Sequence, residues 1–186
     1  MKKFTTKFGR FYRYFPMSVT VISVKYGNKE NLMPAVWNSP LSFDPPLFGV
    51  SISPKRFTHE LVKLAREFTA NFFDYRYIRK IAECGSVSGR EIDKFEKFKL
   101  TKGKSQLVKS PIVGEAYCSL ECTLERVDCY GDHDWFVGRV LGVHYEEGIY
   151  DKNGLLKLEK VLPAMYLGAD TYFTADSQSK VLISRT

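Results

Sequence analysis

The chain has 186 residues, of which 44% are apolar, and a formal charge of +7 at pH 7. That length suits one domain with a substantial core, spanning residues 1–186, and the apolar fraction argues against disorder. No apolar run reaches membrane-span length, and the charged start Met1-Lys2-Lys3-Phe4-Thr5-Thr6-Lys7-Phe8-Gly9-Arg10 lacks the apolar stretch of a signal peptide, so a cytoplasmic protein without a membrane partner is expected.

Ser18 to Lys25 is rich in β-branched residues and ends at the turn-forming Tyr26-Gly27-Asn28-Lys29, which predicts a hairpin returning through Met33 to Trp37. Pro40, Pro45 and Pro46 are expected to keep the following segment out of a central sheet until the apolar strand Leu47–Ile52. A helix over His59–Glu67 should lead into an aromatic strand from Phe68 to Phe72. Asp74 can cap a helix bearing Ile78, Ile81 and Ala82 that stops near Gly85. Ser88-Gly89-Arg90-Glu91 has capping-box spacing before Ile92 and Phe95. From Tyr117 to Tyr145 the pattern is strand-like, with two long runs joined around Tyr130–Asp134, and Gly138 and Gly142 mark a bulge or a close backbone approach. Strands dominate and no β-helix-β rhythm recurs, so the fold class is mainly β: a barrel with inserted helices.

The chemistry-bearing residues are sparse. Cys84, Cys118, Cys122 and Cys129 lack Cys-x-x-Cys spacing, and His59, His133 and His144 do not fall at ligand spacing, so neither a disulfide framework nor a metal is expected. Cys118 and Cys122 share a strand face with Leu120 and Leu124 and read as small buried groups. Lys94, Lys97, Lys99, Lys102, Lys104 and Lys109 concentrate positive charge, but Glu91, Asp93 and Glu96 interrupt it and no recognition-helix or stacking signature accompanies it. A solvated lysine-rich segment, and no nucleic-acid partner, is the expectation. Neither a Gly-x-Ser-x-Gly elbow nor a Gly-x-Gly-x-x-Gly is present, so any redox work needs a bound organic cofactor.

The turn Ser53-Pro54-Lys55-Arg56-Phe57-Thr58 is the candidate to hold one. With Thr58 as N-cap, backbone N–H groups and the helix dipole face the turn, Lys55 and Arg56 add charge, and Ser51, Ser53 and Thr58 add hydroxyls, which together suit a phosphate. Read locally, the same residues also make an ordinary capped surface turn with two solvated cations.

Several segments in order resemble the flavin reductase-like proteins with the FMN-binding split barrel, and within them the flavoredoxin-type branch. They are Tyr14-Phe15-Pro16, Asn31 to Trp37, Phe43-Asp44-Pro45-Pro46-Leu47, Phe68-Thr69-Ala70-Asn71, Val87-Ser88-Gly89-Arg90, Asp93-Lys94-Phe95, Leu120-Glu121-Cys122 and Gly131-Asp132-His133 to Phe136-Val137-Gly138. The resemblance covers about Phe11 to Tyr150, with a looser match beyond.

It implies a homodimer holding FMN near the subunit interface, with the ring edge against Trp37, Asn38 and Ser39. By the same carry-over Ser51, Ser53, Arg56 and Thr58 lie on the phosphate side, with Lys55 beside them, and Asn71 lies near the ribityl or ring edge. His133 corresponds to a histidine beside the flavin face that orients a nicotinamide or donates a proton. Ser88, Arg90 and Lys94 border the entrance, where they are candidates to contact nicotinamide phosphate or FMN. Taken singly, Trp37 reads as a core or interface aromatic, Asn71 as a backbone-bonding strand residue and His133 as a local turn histidine. One departure is Leu32-Met33-Pro34, where many flavin reductases carry Gly-Met-Thr: Pro34 removes a backbone donor and a hydroxyl.

The implied function is an NAD(P)H:FMN oxidoreductase, in which NADH or NADPH passes hydride to FMN and electrons leave to free flavin, an acceptor protein or ferric iron. The alternative is a flavoredoxin-like FMN electron carrier without efficient nicotinamide turnover. A barrel binding nucleic acid through its lysines is the reading from a different class.

Overall fold

A computed structural model describes residues 1–7 and 16–183, so Tyr14 and Phe15 of the family resemblance lie outside the described residues. Strands β1 (Met17–Ser18), β2 (Thr20–Tyr26), β3 (Lys29–Ala35), β4 (Asn38–Phe43) and β5 (Pro46–Ile52) come first, followed by α1 (Phe57–Ala65) and β6 (Glu67–Phe73). Helices α2 (Ile78–Gly85) and α3 (Lys94–Lys97) and the short strands β7 (Lys102–Gly103) and β8 (Ile112–Val113) lead to the long hairpin β9 (Ala116–Tyr130) and β10 (His133–Tyr145). Strands β11 (Met165–Gly168) and β12 (Thr171–Phe173) follow. Seven strands form one sheet in the order β3-β2-β6-β9-β10-β5-β4, with every neighbouring pair antiparallel.

The β-branched run of β2 explains its central place, because the strand is buried on both faces. Ile22 and Val24 face one core with Phe48, Val50, Ile52, Phe68, Cys122 and Phe136, while Val19 and Val21 face a second with Leu32, Phe73 and residues of α2 and α3. Helix α1 plugs the first core through Phe57, Leu61 and Val62. Nine residues make a marginal helix in isolation. Burial of those three side chains, at about 1.5–3 kcal/mol each, stabilises it in place. The strand pattern anticipated a barrel with inserted helices, and the family resemblance its split-barrel form.

Gly138 and Gly142 do mark irregularities, since the β9–β10 register shifts at Val137/Gly138 and at Val140/Gly142. A Cβ on Gly138 would sit 2.6 Å from Phe68 Cζ, so the close approach requires glycine.

Five expectations need correction. The first hairpin returns from Lys29, and its arm ends at Ala35, before Trp37. The proline-broken run is itself a strand, β4, tolerated because it lies at the sheet edge where a missing N–H costs no internal pairing. The capping box is absent: Asp93 Oδ1 accepts from Phe95 N and Glu96 N and so starts the short helix at Lys94, whereas Ser88 Oγ accepts from Arg90 N in a turn. Asp74 caps a single 3-10 turn, Tyr75–Tyr77, that precedes α2. The alternation in β9 is also more than one-sided: Ser119 and Glu121 are as buried as Cys122 and Leu124 on the opposite face.

Candidate functional site

Strand β5 ends in the turn that sequence analysis singled out. Arg56 N donates to Ser53 O at 2.9 Å, and Arg56 stands at the N-cap in an extended conformation with no side-chain cap. The first N–H groups of α1, at Phe57 and Thr58, therefore lack intrahelical acceptors and present the positive end of the helix. Lys55 and Arg56 are exposed and form no close ion pair among the described residues, though the Lys55 charge is felt by the Asp132 carboxyl, and neither Ser51 nor Ser53 has a hydroxyl partner among them. Positive charge, free hydroxyls and orphan N–H groups at one turn fit a phosphate.

Beside this turn, the sheet brings two distant segments together. Ser51 N donates to Trp37 O at 2.9 Å, and β5 pairs on its other side with β10, Trp135 opposite Ser51. The Trp37 and His133 rings lie 4.9 Å apart at 51°. Phe136 and Val50 point into the barrel, so His133, Trp135 and Ser51 lie on the side of the sheet turned away from the core. The Trp135 indole lies over Gly49: a Cβ there would meet Trp135 Nε1 at 2.5 Å. Asp132 pairs with His133 Nδ1 at 2.8 Å, and that hydrogen bond holds the Asp132 carboxyl low. The arrangement is an aromatic, partly open surface next to a turn rich in positive charge and donors, with room in its chemistry for a flat ring carrying a phosphate tail.

Asn38 and Ser39 sit at this edge but are partly committed elsewhere. Asn38 Nδ2 donates to Ser18 O at 3.1 Å, and Ser39 Oγ donates to Pro40 O at 2.8 Å, so both side chains are engaged locally. Arg90 flanks α1: its guanidinium lies 4.7 Å over the Phe57 ring and pairs with Glu60 at 2.8 Å. Ser88 is exposed and its oxygen serves the local turn.

Three residues do not join the site as expected. Thr58 is fully buried and its hydroxyl accepts from Asn31 Nδ2 at 2.8 Å, so it neither caps α1 nor faces a phosphate. Asn71 has all four hydrogen-bonding positions occupied, donating to Val21 O and Thr69 Oγ1 and accepting from Val113 N and Ser119 Oγ, which makes it a strand lock without capacity for a ligand. Lys94 is buried and not a solvated lysine; its ammonium donates to Leu32 O and Cys84 O, both at 2.8 Å. Burial pulls its pKa down, opposed by the Cys84 thiol and aided by the positive charge of Arg56. Pro34 lies on the edge strand β3 opposite Val21 and against Gly85 of α2.

Two contributions were not foreseen. Trp135 covers the β5 backbone, a role that needs the β5–β10 register to be seen. His59 Nε2 pairs with Asp134 Oδ2 at 2.7 Å and its ring packs edge-on to Phe136 at 5.0 Å, tying α1 to the strand that carries His133.

Residues 11–171 match the family model described as Flavin reductase like domain. The chain belongs to the flavin reductase-like family. An FMN-binding protein from Thermus thermophilus, in a crystal structure with bound 1-cyclohex-2-enone, is 38% identical, with 98% of this chain and 100% of that one covered and a TM-score of 0.88. Flavoredoxin from Methanosarcina acetivorans is 26% identical over 97% of this chain and 95% of its own, with a TM-score of 0.84. An uncharacterised protein of Pyrococcus abyssi is 35% identical over 74% of this chain and 78% of its own. The flavin reductase-like fold thus frames the turn and the aromatic surface described above. Among the described residues, no helix is long and apolar enough to cross a membrane.

Proposed function

We propose that the chain is an FMN-binding oxidoreductase that takes electrons from NADH or NADPH and passes them to a second acceptor. The observation that carries this reading is the exposed, uncapped Lys55–Arg56 turn beside the Trp37–His133 ring pair, on a family fold shared with FMN-binding and flavoredoxin structures. The chemistry FMN supplies when bound is reversible two-electron transfer. Arg56, Lys55, the Ser51 and Ser53 hydroxyls and the start of α1 bind its phosphate, while backbone at Trp37, Asn38 and Ser39 borders the ring. Trp135 walls the surface and excludes water from it. His133, oriented by Asp132 through Nδ1, leaves Nε2 free to position a nicotinamide.

The open, outward placement of this surface supports a homodimer in which a second copy closes each site. Exposed apolar side chains at Leu41 and Phe43 of β4 and at Leu141, Val143 and Tyr145 of β10 give such a copy something to cover. A carrier without efficient nicotinamide turnover is the second reading, favoured by the likeness to flavoredoxin along nearly the whole chain. Anaerobic rapid mixing of the FMN-loaded protein with NADH or NADPH tests the choice. Fast loss of flavin absorbance is expected for the oxidoreductase; loss too slow to support turnover, with rapid oxidation by an electron-carrier protein, selects the carrier. Failure of the protein to retain FMN at micromolar concentration refutes both.

A further inference from the structure

A cavity of about 550 Å³ opens where the β2–β3 hairpin meets β7 and the loop that follows it, lined by Lys25, Glu30, Lys102, Lys104, Val108 and Lys109 among others. It shares no residue with the turn and ring surface described above, and it absorbs three members of the lysine cluster that the proposed function leaves unused. We propose that this groove is a second anion site, built for a small molecule carrying a diphosphate.

Charge comes first. Glu30 is the acidic residue of the lining, and its two carboxylate oxygens are already divided between Lys25, at 3.1 Å, and Lys102. The ammonium groups of Lys104 and Lys109 have no acidic partner among the described residues, so four cations face one carboxylate. A phosphate monoester brings at most about two negative charges at neutral pH. A terminal diphosphate brings about one more and matches the three uncompensated cations. Lysine ammonium groups act as compact point charges that suit phosphate oxygens without demanding one geometry.

Rigidity is the second argument. The wall from Gln106 to Ser110 is tied down from beneath: Glu121 accepts from Gln106 N, Leu107 N and Val108 N, and Glu67 accepts from Lys109 N, Ser110 N and Ser110 Oγ. Ser110 Oγ also accepts from Lys25 N at 3.1 Å, and Ser105 Oγ donates to Ser110 O at 2.6 Å. The loop N–H groups are thereby consumed and turned inward, leaving side-chain ammonium groups as the donors that a ligand meets. Fixing the wall in advance lowers the ordering cost of binding. The volume falls within the roughly 300–1,000 Å³ of small-molecule sites, and Val108 and Pro111 supply an apolar floor on which a nucleoside ring can lie.

The test is calorimetric titration of ADP and, separately, of inorganic pyrophosphate into the full chain with and without added FMN. One equivalent of probe should bind in both conditions, more weakly as salt is raised, and the double variant Lys104→Ala/Lys109→Ala should bind at least about tenfold more weakly while melting and FMN affinity stay unchanged. Tighter binding of ADP than of pyrophosphate assigns the site to nucleotides, and equal binding assigns it to the diphosphate alone. No heat from either probe up to about 5 mM overturns the proposal. So does equal affinity in the double variant, displacement of the probe by FMN, or saturation only by oligonucleotides in proportion to their length. Because the titration without FMN stands by itself, failure of the flavin reading leaves this outcome legible.

Discussion

Replacing Glu121 with glutamine tests what holds the 104–111 loop. One carboxylate oxygen accepts from Gln106 N at 2.7 Å and from His144 Nε2, the other from Leu107 N at 2.6 Å and Val108 N at 3.0 Å, and the residue is 1% exposed. Glutamine keeps one acceptor oxygen and turns an NH2 group toward the other pair of donors, so two charge-assisted hydrogen bonds are lost and two donors face a donor. Part of that loss is recovered as the loop admits water, which leaves a net destabilisation of about 2–4 kcal/mol. For a chain of this size, at about 2–4 °C per kcal/mol, the melting temperature should fall by roughly 4–16 °C, compared at equal protein concentration.

The pH dependence gives the sign. Burial pushes the Glu121 carboxyl up, but hydrogen bonds from Gln106, His144, Leu107 and Val108 outweigh it and leave the pKa below its ordinary value of 4.5. A folded-state value below the unfolded one stabilises the fold fully above the ordinary carboxylate range and is lost as pH falls through the folded value. The gap between wild type and Glu121→Gln should therefore hold constant near neutrality and shrink in acid. Thermal melts at several pH values read it directly; a melting temperature within one degree of wild type, or a gap that widens in acid, would refute the reasoning.

Three further outcomes are expected. Arg56→Ala should weaken FMN binding by about 1.5–3 kcal/mol through loss of a charge-assisted contact, checked by fluorescence titration, and an unchanged affinity removes Arg56 from the phosphate site. His133→Gln should slow flavin reduction more than it weakens FMN binding, and equal effects in stopped-flow and titration assign the residue a structural role. Gly138→Ala places a Cβ 2.6 Å from Phe68 Cζ and 3.0 Å from Cys122 Cβ in a packed interior, so chemical denaturation should show a loss of about 1–3 kcal/mol.

The strands were legible because β-branched runs, aromatic runs and interior glycines carry their own spacing: β5, β6 and the β9–β10 hairpin all lie where the pattern put them. The site was legible only in part. Lys55 and Arg56 are exposed at the turn after β5 and His133 lies against Trp37, but Thr58, a preferred capping residue, lost its hydroxyl to Asn31, a partner on strand β3. Lys94 looked like one more surface cation, because nothing local shows that two carbonyls from β3 and α2 await its ammonium. Glu121 falls on the polar positions of an alternating strand, and its burial follows only from a loop folded over that face. Trp135 needed the register with β5. What failed in each case was a tertiary partner remote in sequence, not the local rule.

The helix that stoppers the barrel with Phe57, Leu61 and Val62 is the same one whose leading end carries no side-chain cap. Occupancy at that end and cohesion of the interior are thus mechanically joined, with the His59–Asp134 clasp as a second fastening to the neighbouring hairpin. An anion seated there steadies the whole barrel by mass action, so saturation of the turn will register as heat resistance in residues that never touch the ligand.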